Sequence, residues 1–196
     1  MHHMGYFDII FIAMYLLFAL SRAPRDLSNR RARHVESRKG AIEKLCLLLV
    51  FTGFTTMPVL YLFTPWFDYA DFTVNPLLGW LGALIGAAGI VMLWMTHRDL
   101  GPEFSQTLEL KEEHRLVTIG LYSRIRHPMY TAIFLVAIAQ LLLIGNVAVA
   151  PAFLIAFTIL YFARIGHEER MMLDHFSGAY NDYCLRTWRL LPALRK

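Results

Sequence analysis

The segment HRLVTIGLYSRIRHPMY, residues 114–130, lies between two long apolar runs and carries two histidines, three arginines and two tyrosines. A simple connecting loop requires few of these side chains, whereas a pocket for a charged, aromatic ligand requires most of them. Gly120, within the segment, permits a positive φ or the close approach of a ligand. The segment therefore predicts a polar connector that closes a pocket at one end of a helix bundle.

Outside the connector the chain is strongly apolar. Hydrophobic residues make up 57% of the 196 residues, against roughly 45–50% in soluble domains, and they occur in long runs. Such runs predict an all-α polytopic membrane protein with five transmembrane helices, in a single integral-membrane domain that covers residues 1–196. The predicted spans are residues 6–20, 45–63, 77–95, 129–144 and 147–163.

The last two predicted spans are short, and Gly145 and Asn146 separate them. This pair predicts a tight turn and therefore a helical hairpin. The hairpin brings the residues that precede the fourth span close to those that follow the fifth. His127 is followed by Pro128, which suits the first turn of a helix because its missing N–H has no partner there.

The basic residues predict the orientation. With five spans, all 19 Lys and Arg fall on the same side of the membrane, while residues 64–76 carry none. The positive-inside rule then places the N-terminus outside, and the C-terminus and the pocket in the cytoplasm. The positive charges thus serve topology and lipid contact, so no nucleic-acid partner is predicted.

Metal and oligomer signals are weak. His114 and His127 have no nearby Cys or carboxylate that would complete a ligand set, so no metal is predicted. Gly82 and Gly86 form a small-xxx-small pair, for which packing inside the chain is favoured over dimerisation. The chain is therefore predicted to be a monomer.

Arg164 and Glu168 are four residues apart, so on a helix they share one face. Glu169 lies about 100° further round and need not join them. An interfacial ion pair and a functional pair both remain open for Arg164 and Glu168, since ionisable groups near membrane depth are candidates for function. For His127, structural hydrogen bonding and contact with a cofactor both remain open.

Three ordered motifs carry a resemblance. The first is H-x-L-V-x-x-G-x-Y-x-x-x-R-H-P-x-Y at residues 114–130, the second is R-x-x-x-E-E at residues 164–169, and the third is F-x-G-x-Y-x-x-Y-x-x-x-T-x-R-x-x-P at residues 176–192. Together they resemble the isoprenylcysteine carboxyl methyltransferase family of integral-membrane enzymes. The resemblance implies a catalytic core over residues 77–192.

The resemblance also implies S-adenosyl-L-methionine as methyl donor and a lipophilic prenylcysteine carboxylate as acceptor. It assigns Arg164 and Glu168 to catalysis, with Arg164 binding the acceptor. The cofactor-binding residues that it implies are Gln106, His114, Arg115, Leu116, Val117, Gly120, Tyr122, His127, Pro128, Met129, Tyr130 and Glu168.

Other functions stay open at this point. Phospholipid or amine N-methylation would use Glu168 as a base, because an ammonium acceptor must first lose a proton. A membrane reductase that uses a nicotinamide cofactor would need more basic side chains near the pocket. A non-catalytic membrane protein would leave the density of His, Arg and Tyr in the connector without a purpose.

Overall fold

The structure is a computed structural model that describes residues 4–31, 40–101 and 116–192, with the backbone alone for residues 23–31. These residues form seven α-helices and no β-strand, which confirms the predicted all-α class. The helices are α1 (Tyr6–Arg31), α2 (Ala41–Phe51), α3 (Met57–Phe63), α4 (Pro76–Leu100), α5 (Pro128–Leu143), α6 (Ala152–Phe176) and α7 (Gly178–Arg186).

Two of the predicted spans are long and apolar enough to cross a membrane. A wide helical turn, Thr52–Thr56, joins α2 to α3, so that Ala41–Phe63 is continuous, and Pro76–Leu100 meets the same criteria. Helix α5 is apolar but shorter, with 16 residues. The other three spans of the five remain predictions.

The wide turn has a specific neighbour. Gln140 on α5, fully buried, donates from Nε2 to the Gly53 carbonyl at 3.0 Å and to the Val149 carbonyl at 3.1 Å. A turn wider than an α-helix leaves carbonyls available for such side-chain bonds. At Gly53 a Cβ would lie 2.8 Å from the Ala152 carbonyl oxygen, so glycine allows this turn to pack against the start of α6.

The glycines of α4 face its neighbours inside the chain. At Gly82 a Cβ would lie 2.8 Å from Leu142 Cβ on α5, and at Gly86 it would lie 2.6 Å from Met14 Sδ on α1. The absence of side chains there lets the three helices approach closely. The small-xxx-small pair is thus used for packing within the chain, as predicted.

The connection from α5 to α6 differs from the prediction. Helix α5 ends at Leu143 and α6 begins at Ala152, so residues 144–151 form the connection rather than a tight turn at Gly145 and Asn146. The Gly145 carbonyl accepts a hydrogen bond from Phe72 N at 2.8 Å. The turn is longer because it pairs with the loop before α4, which is distant in the sequence.

Asn146 holds this end of the bundle together. It is 0% exposed, and its Nδ2 donates to the Phe67 carbonyl at 2.8 Å and to Asp71 Oδ1 at 2.6 Å. Its Oδ1 accepts from the backbone N–H groups of Ala148 and Val149, both at 3.1 Å. All four hydrogen-bonding positions of the amide are therefore used.

Helix α6 ends at Phe176, and the next residue, Ser177, has a positive φ of 46°. Ser177 N donates to the Leu173 carbonyl at 2.8 Å, which closes the last turn. Gly178 then begins α7, whose Tyr180 and Tyr183 are buried.

Candidate active site

The site lies where α5 begins. Pro128 is buried in the first turn of α5, as predicted, and His127 immediately precedes it. The His127 backbone N–H donates to the Arg189 carbonyl at 3.0 Å. One turn further on, the rings of Tyr130 and Tyr161 of α6 meet edge to face at 5.3 Å. The start of α5 is thus fixed against both α6 and the C-terminal segment, residues 187–192, that follows α7.

Glu168 is the acidic centre of this end. Tyr130 donates from its hydroxyl to Glu168 Oε1 at 2.6 Å, and Arg164 Nε lies 3.4 Å from the same oxygen. The side chains of Arg164 and Glu168 are each 16% exposed. The structure therefore brings together three of the predicted site residues, with Arg164 and Glu168 on one helix face as their spacing indicated.

Glu169 has partners of its own. Arg189 contacts its carboxylate through two hydrogen bonds, at 2.9 Å and 2.5 Å, while Arg126 Nε and His127 Nε2 each lie 3.5 Å from Oε1. Burial would raise the pKa of Glu169, but His127 and Arg189 outweigh it and lower the pKa to about 2. The helical spacing left open whether Glu169 joins Arg164 and Glu168, and in the structure it is linked to Glu168 through His127.

The C-terminal segment packs on the connector. Arg126 donates to the carbonyls of Cys184 at 3.0 Å and Thr187 at 2.5 Å, and its backbone N–H donates to the Trp188 carbonyl at 2.7 Å. Thr131 donates to the Leu190 carbonyl at 2.6 Å. These bonds hold the segment after α7 beside the start of α5.

The connector bends at Gly120, where φ is +58°, which is one of the two uses that the sequence left open for this glycine. A Cβ there would lie 2.0 Å from Asp99 Oδ2, and this same oxygen accepts a hydrogen bond from Leu121 N at 2.9 Å. Asp99, whose side chain is 6% exposed, thus ties the connector to the end of α4.

Tyr122 follows this bend. Burial raises the pKa of its phenol, which therefore stays neutral and able to donate. Its backbone carbonyl accepts a hydrogen bond from the Tyr183 hydroxyl at 2.7 Å. The connector is accordingly held from both α4 and α7.

The remaining predicted residues are less central. Leu116 and Val117 are half-buried at the start of the described connector, and Met129 packs against the core. Gln106, His114 and Arg115 lie outside the described residues. The roles assigned to all of these residues stay predictions.

Three basic side chains of the site have nitrogen atoms whose hydrogen-bonding capacity is not used by the part of the chain that the structure describes. Among the described residues, Arg126 Nε, His127 Nε2 and Arg164 Nε are buried without a hydrogen-bond partner. Buried polar groups in proteins are nearly always satisfied, so such donors call for an explanation. Chemically, they suit an anionic ligand beside an aromatic wall.

Sequence reasoning missed three acidic contributors: Glu43, which lies 3.9 Å from Arg164, Asp99 and Glu169. Glu169 stands in a motif that the resemblance already contained, so it had a usable signal. Glu43 and Asp99 had no such signal, because both lie far along the chain from Arg164 and Leu121, which they contact at the site.

Most of the residues that form this site lie in a range that is similar to a known protein family. Residues 81–174 match the model of the isoprenylcysteine carboxyl methyltransferase (ICMT) family. The predicted resemblance to this family is confirmed. The matched range includes most of α4, the connector, α5 and most of α6, and with them Arg164, Glu168 and Glu169.

Curated relatives of the ICMT family match over part of their length. The protein-S-isoprenylcysteine O-methyltransferase of Dictyostelium discoideum is 27% identical over 119 residues, which cover 60% of this chain and 50% of that protein. The enzyme of the same name from Saccharomyces cerevisiae is 32% identical over 105 residues, 53% of this chain and 44% of that protein. The chain thus spans about half the length of these relatives.

A solved structure of the eukaryotic intramembrane Ras methyltransferase ICMT superposes with a TM-score of 0.54 at 21% identity. The match covers 94% of this chain and 62% of that one, and it supports a shared fold.

The nickel-cobalt-cadmium resistance protein NccN of Alcaligenes xylosoxydans xylosoxydans is 26% identical over 88% of this chain and 71% of its own length. In the part of the chain that the structure describes, no three His, Cys, Asp or Glu side chains group as metal ligands.

Proposed function

We propose that the protein is an S-adenosyl-L-methionine-dependent methyltransferase that O-methylates the carboxylate of a prenylated cysteine or a similar lipophilic carboxylate. The observation that carries this proposal is the contact of Arg164, Glu168 and Tyr130 inside the range that matches the ICMT family. Relatives named protein-S-isoprenylcysteine O-methyltransferase supply the reaction class.

Arg164 is the proposed acceptor site. A carboxylate is already ionised near pH 7, so the reaction requires no general base, and positioning becomes the main task. The planar guanidinium of Arg164 binds a carboxylate through paired hydrogen bonds, and its Nε has no hydrogen-bond partner among the described residues. Arg164 therefore orients the acceptor oxygen without removing a proton.

The residues around Glu168 fit a sulfonium cofactor. The Glu168 carboxylate and the ring of Tyr130 present negative charge and a π-face to a cation. His127 Nε2, which lies 3.5 Å from Glu169 Oε1 without a hydrogen bond, is placed to donate to an anionic group of the cofactor. When bound, the cofactor supplies an electrophilic methyl group. Leu116, Val117 and Tyr122 extend the pocket along the connector, and Pro128 and Gly120 set its backbone.

The lipophilic part of the acceptor requires an apolar route. Ile155, Ile159 and Phe162 form an exposed apolar stripe on α6, being 57%, 47% and 71% exposed. Such a stripe suits contact with lipid chains, so we propose that the acceptor reaches Arg164 laterally from the bilayer. The five-span arrangement, with the N-terminus outside and the site in the cytoplasm, fits this route.

The test is transfer of a labelled methyl group from S-adenosyl-L-methionine to N-acetyl-S-farnesylcysteine by purified protein in lipid vesicles. We expect an alkali-labile methyl ester, and a rate that is flat above about pH 5 because the acceptor is already ionised. The carboxamide of the same acceptor, which lacks the reacting oxygen anion, is the control. A rate that appears only with amine lipids and rises with amine deprotonation would establish N-methylation instead.

A further inference from the structure

Arg164 lies between two carboxylates that belong to different helices. Glu168, on α6, is 3.4 Å from Arg164 Nε, and Glu43, on α2, is 3.9 Å from the same atom. Neither contact is a hydrogen bond, since Arg164 Nε has no hydrogen-bond partner among the described residues. The guanidinium is thus held by charge on two sides, with hydrogen-bonding capacity left over.

The two carboxylates are not equivalent. Glu168 is fixed by the hydrogen bond from Tyr130 at 2.6 Å, and it shares a helix with Arg164. Glu43 reaches across from α2 at the longer distance, and its side chain is 21% exposed. Glu43 is therefore the partner that can leave with less rearrangement.

The Glu43 carboxylate is also stabilised when it does not contact Arg164. It stands in the first turn of α2, where the helix dipole stabilises a negative charge. That interaction does not depend on Arg164, so it favours the Glu43 carboxylate whether or not the carboxylate contacts the guanidinium.

The Glu43 carboxylate and the acceptor carboxylate repel each other and therefore compete for Arg164. Arg164, Glu43 and Glu168 together carry a net charge of −1 from two carboxylates and one guanidinium. A further carboxylate on Arg164 is repelled by Glu43 at close range, and this repulsion is strong in a partly buried site. A neutral acceptor group meets no such opposition.

We propose that Glu43 is the exchangeable partner of Arg164, displaced when the acceptor carboxylate binds, and that its charge sets how tightly anionic acceptors are held. Glu43 is then a specificity-determining residue, and this inference rests on the proposed function of Arg164. Weaker holding of the ground-state carboxylate is useful, since tight binding of substrate alone does not accelerate the reaction.

The test measures the affinity of N-acetyl-S-farnesylcysteine and of its carboxamide for detergent-purified wild type, Glu43→Gln and Asp182→Asn. Asp182 is exposed on α7, so its substitution removes the same charge away from Arg164. We expect Glu43→Gln to tighten carboxylate binding by about tenfold, from the relief of like-charge repulsion, and to leave carboxamide binding within roughly twofold. Asp182→Asn should change neither affinity.

Glu43→Asp keeps the charge on a shorter side chain and guards against misfolding of the first variant. It should tighten carboxylate binding less than Glu43→Gln does. Unchanged or weaker carboxylate binding in Glu43→Gln overturns the inference, as does equal tightening of the carboxamide or the absence of carboxylate binding to every variant.

The proposed function is scored separately, by methyl transfer in the wild type. If the wild type transfers no methyl group but Glu43→Gln still tightens the carboxylate, the enzyme assignment fails while the competition stands. If the wild type is active and Glu43→Gln binds the carboxylate as the wild type does, the competition fails alone.

Discussion

Buried polar side chains at the two ends of the helix bundle differ in how many hydrogen bonds the chain itself supplies to them. At the end formed by the connection between α5 and α6, Asn146 uses all four hydrogen-bonding positions of its amide. At the opposite end, among the described residues, Arg126, His127 and Arg164 each have a buried nitrogen without a hydrogen-bond partner. The chain itself supplies all the hydrogen bonds of Asn146, whereas these three nitrogens receive none from the described residues.

This difference separates folding from function. An unsatisfied buried polar group costs about 1–3 kcal/mol, so a group that only closes a fold is expected to be satisfied by the protein. Groups that stay unsatisfied beside Glu168 and Tyr130 therefore suit a ligand that completes them. The comparison predicts that substitutions at the first end alter stability, and that substitutions at the second alter binding and catalysis.

The largest expected effect is at Arg164. Arg164→Ala should lower kcat/KM for the farnesylated acceptor by at least roughly 100-fold, because a buried charged partner is lost, and should leave the affinity for S-adenosylhomocysteine nearly unchanged. Arg170→Ala, which removes an exposed arginine from the same helix, is the control. Parallel loss of affinity and activity would make Arg164 a structural residue.

Asn146→Ala tests the other end. Removing an amide with four hydrogen bonds should cost about 3 kcal/mol of stability and should leave cofactor affinity per folded molecule unaltered. Thermal unfolding in detergent measures the first effect, with the exposed Asn181→Ala for comparison. A stable Asn146→Ala protein with impaired binding would remove the distinction between the ends.

Gly120→Ala and Gly101→Ala form a matched pair. Both glycines have a positive φ, +58° at Gly120 and +52° at Gly101. A Cβ at Gly120 would meet Asp99, whereas at Gly101 it would meet no atom of the described residues within 4 Å. Gly120→Ala should weaken binding of S-adenosylhomocysteine by about tenfold, since displaced connector atoms lose optimal contacts. Equal effects in the two variants would show that backbone strain alone matters.

Tyr130→Phe keeps the ring and removes the hydrogen bond to Glu168. Loss of one such bond should weaken cofactor binding by about fivefold. Tyr15→Phe, which removes a hydroxyl that contacts Thr55 at 3.2 Å away from the site, should have no effect on binding. Similar affinities for all three proteins would exclude the Tyr130 hydroxyl from the pocket.

The smallest effect concerns Glu169 and pH. Since its pKa is lowered from 4.5 to about 2, Glu169 stabilises the folded state above pH 4.5, and this contribution is lost as the pH falls toward 2. The gap in thermal midpoint between wild type and Glu169→Gln should therefore be constant above pH 5 and narrow below it. A gap that widens on acidification would contradict the assigned direction.

Local patterns predicted much of this molecule. The five apolar runs correspond to α1, to α2 with α3, and to α4, α5 and α6, although α6 begins at Ala152 rather than at residue 147. Pro128 marked the start of α5 correctly. The spacing of Arg164 and Glu168 placed both on one face, where they now meet Tyr130. Such features depend on neighbouring residues and on helix period, which a single sequence displays directly.

The misses depend on distant partners. Gly145 and Asn146 predicted a tight turn. The sequence could not show the longer connection, because Phe67 and Asp71, the hydrogen-bonding partners of Asn146, lie in another loop. The helical period of α6 placed Glu169 about 100° from Glu168, but it could not show that Arg189 and His127 approach Glu169 from outside that helix. Tertiary contacts of this kind leave no periodic trace in the sequence.

The central claim is that the end of the bundle around Glu168 is a cofactor site. Calorimetric titration of S-adenosylhomocysteine into detergent-purified wild-type protein tests it most directly, with thermal unfolding as proof that the sample is folded. We expect saturable one-to-one binding that Arg164→Ala retains and Tyr130→Phe weakens. Absence of binding by folded protein would contradict it.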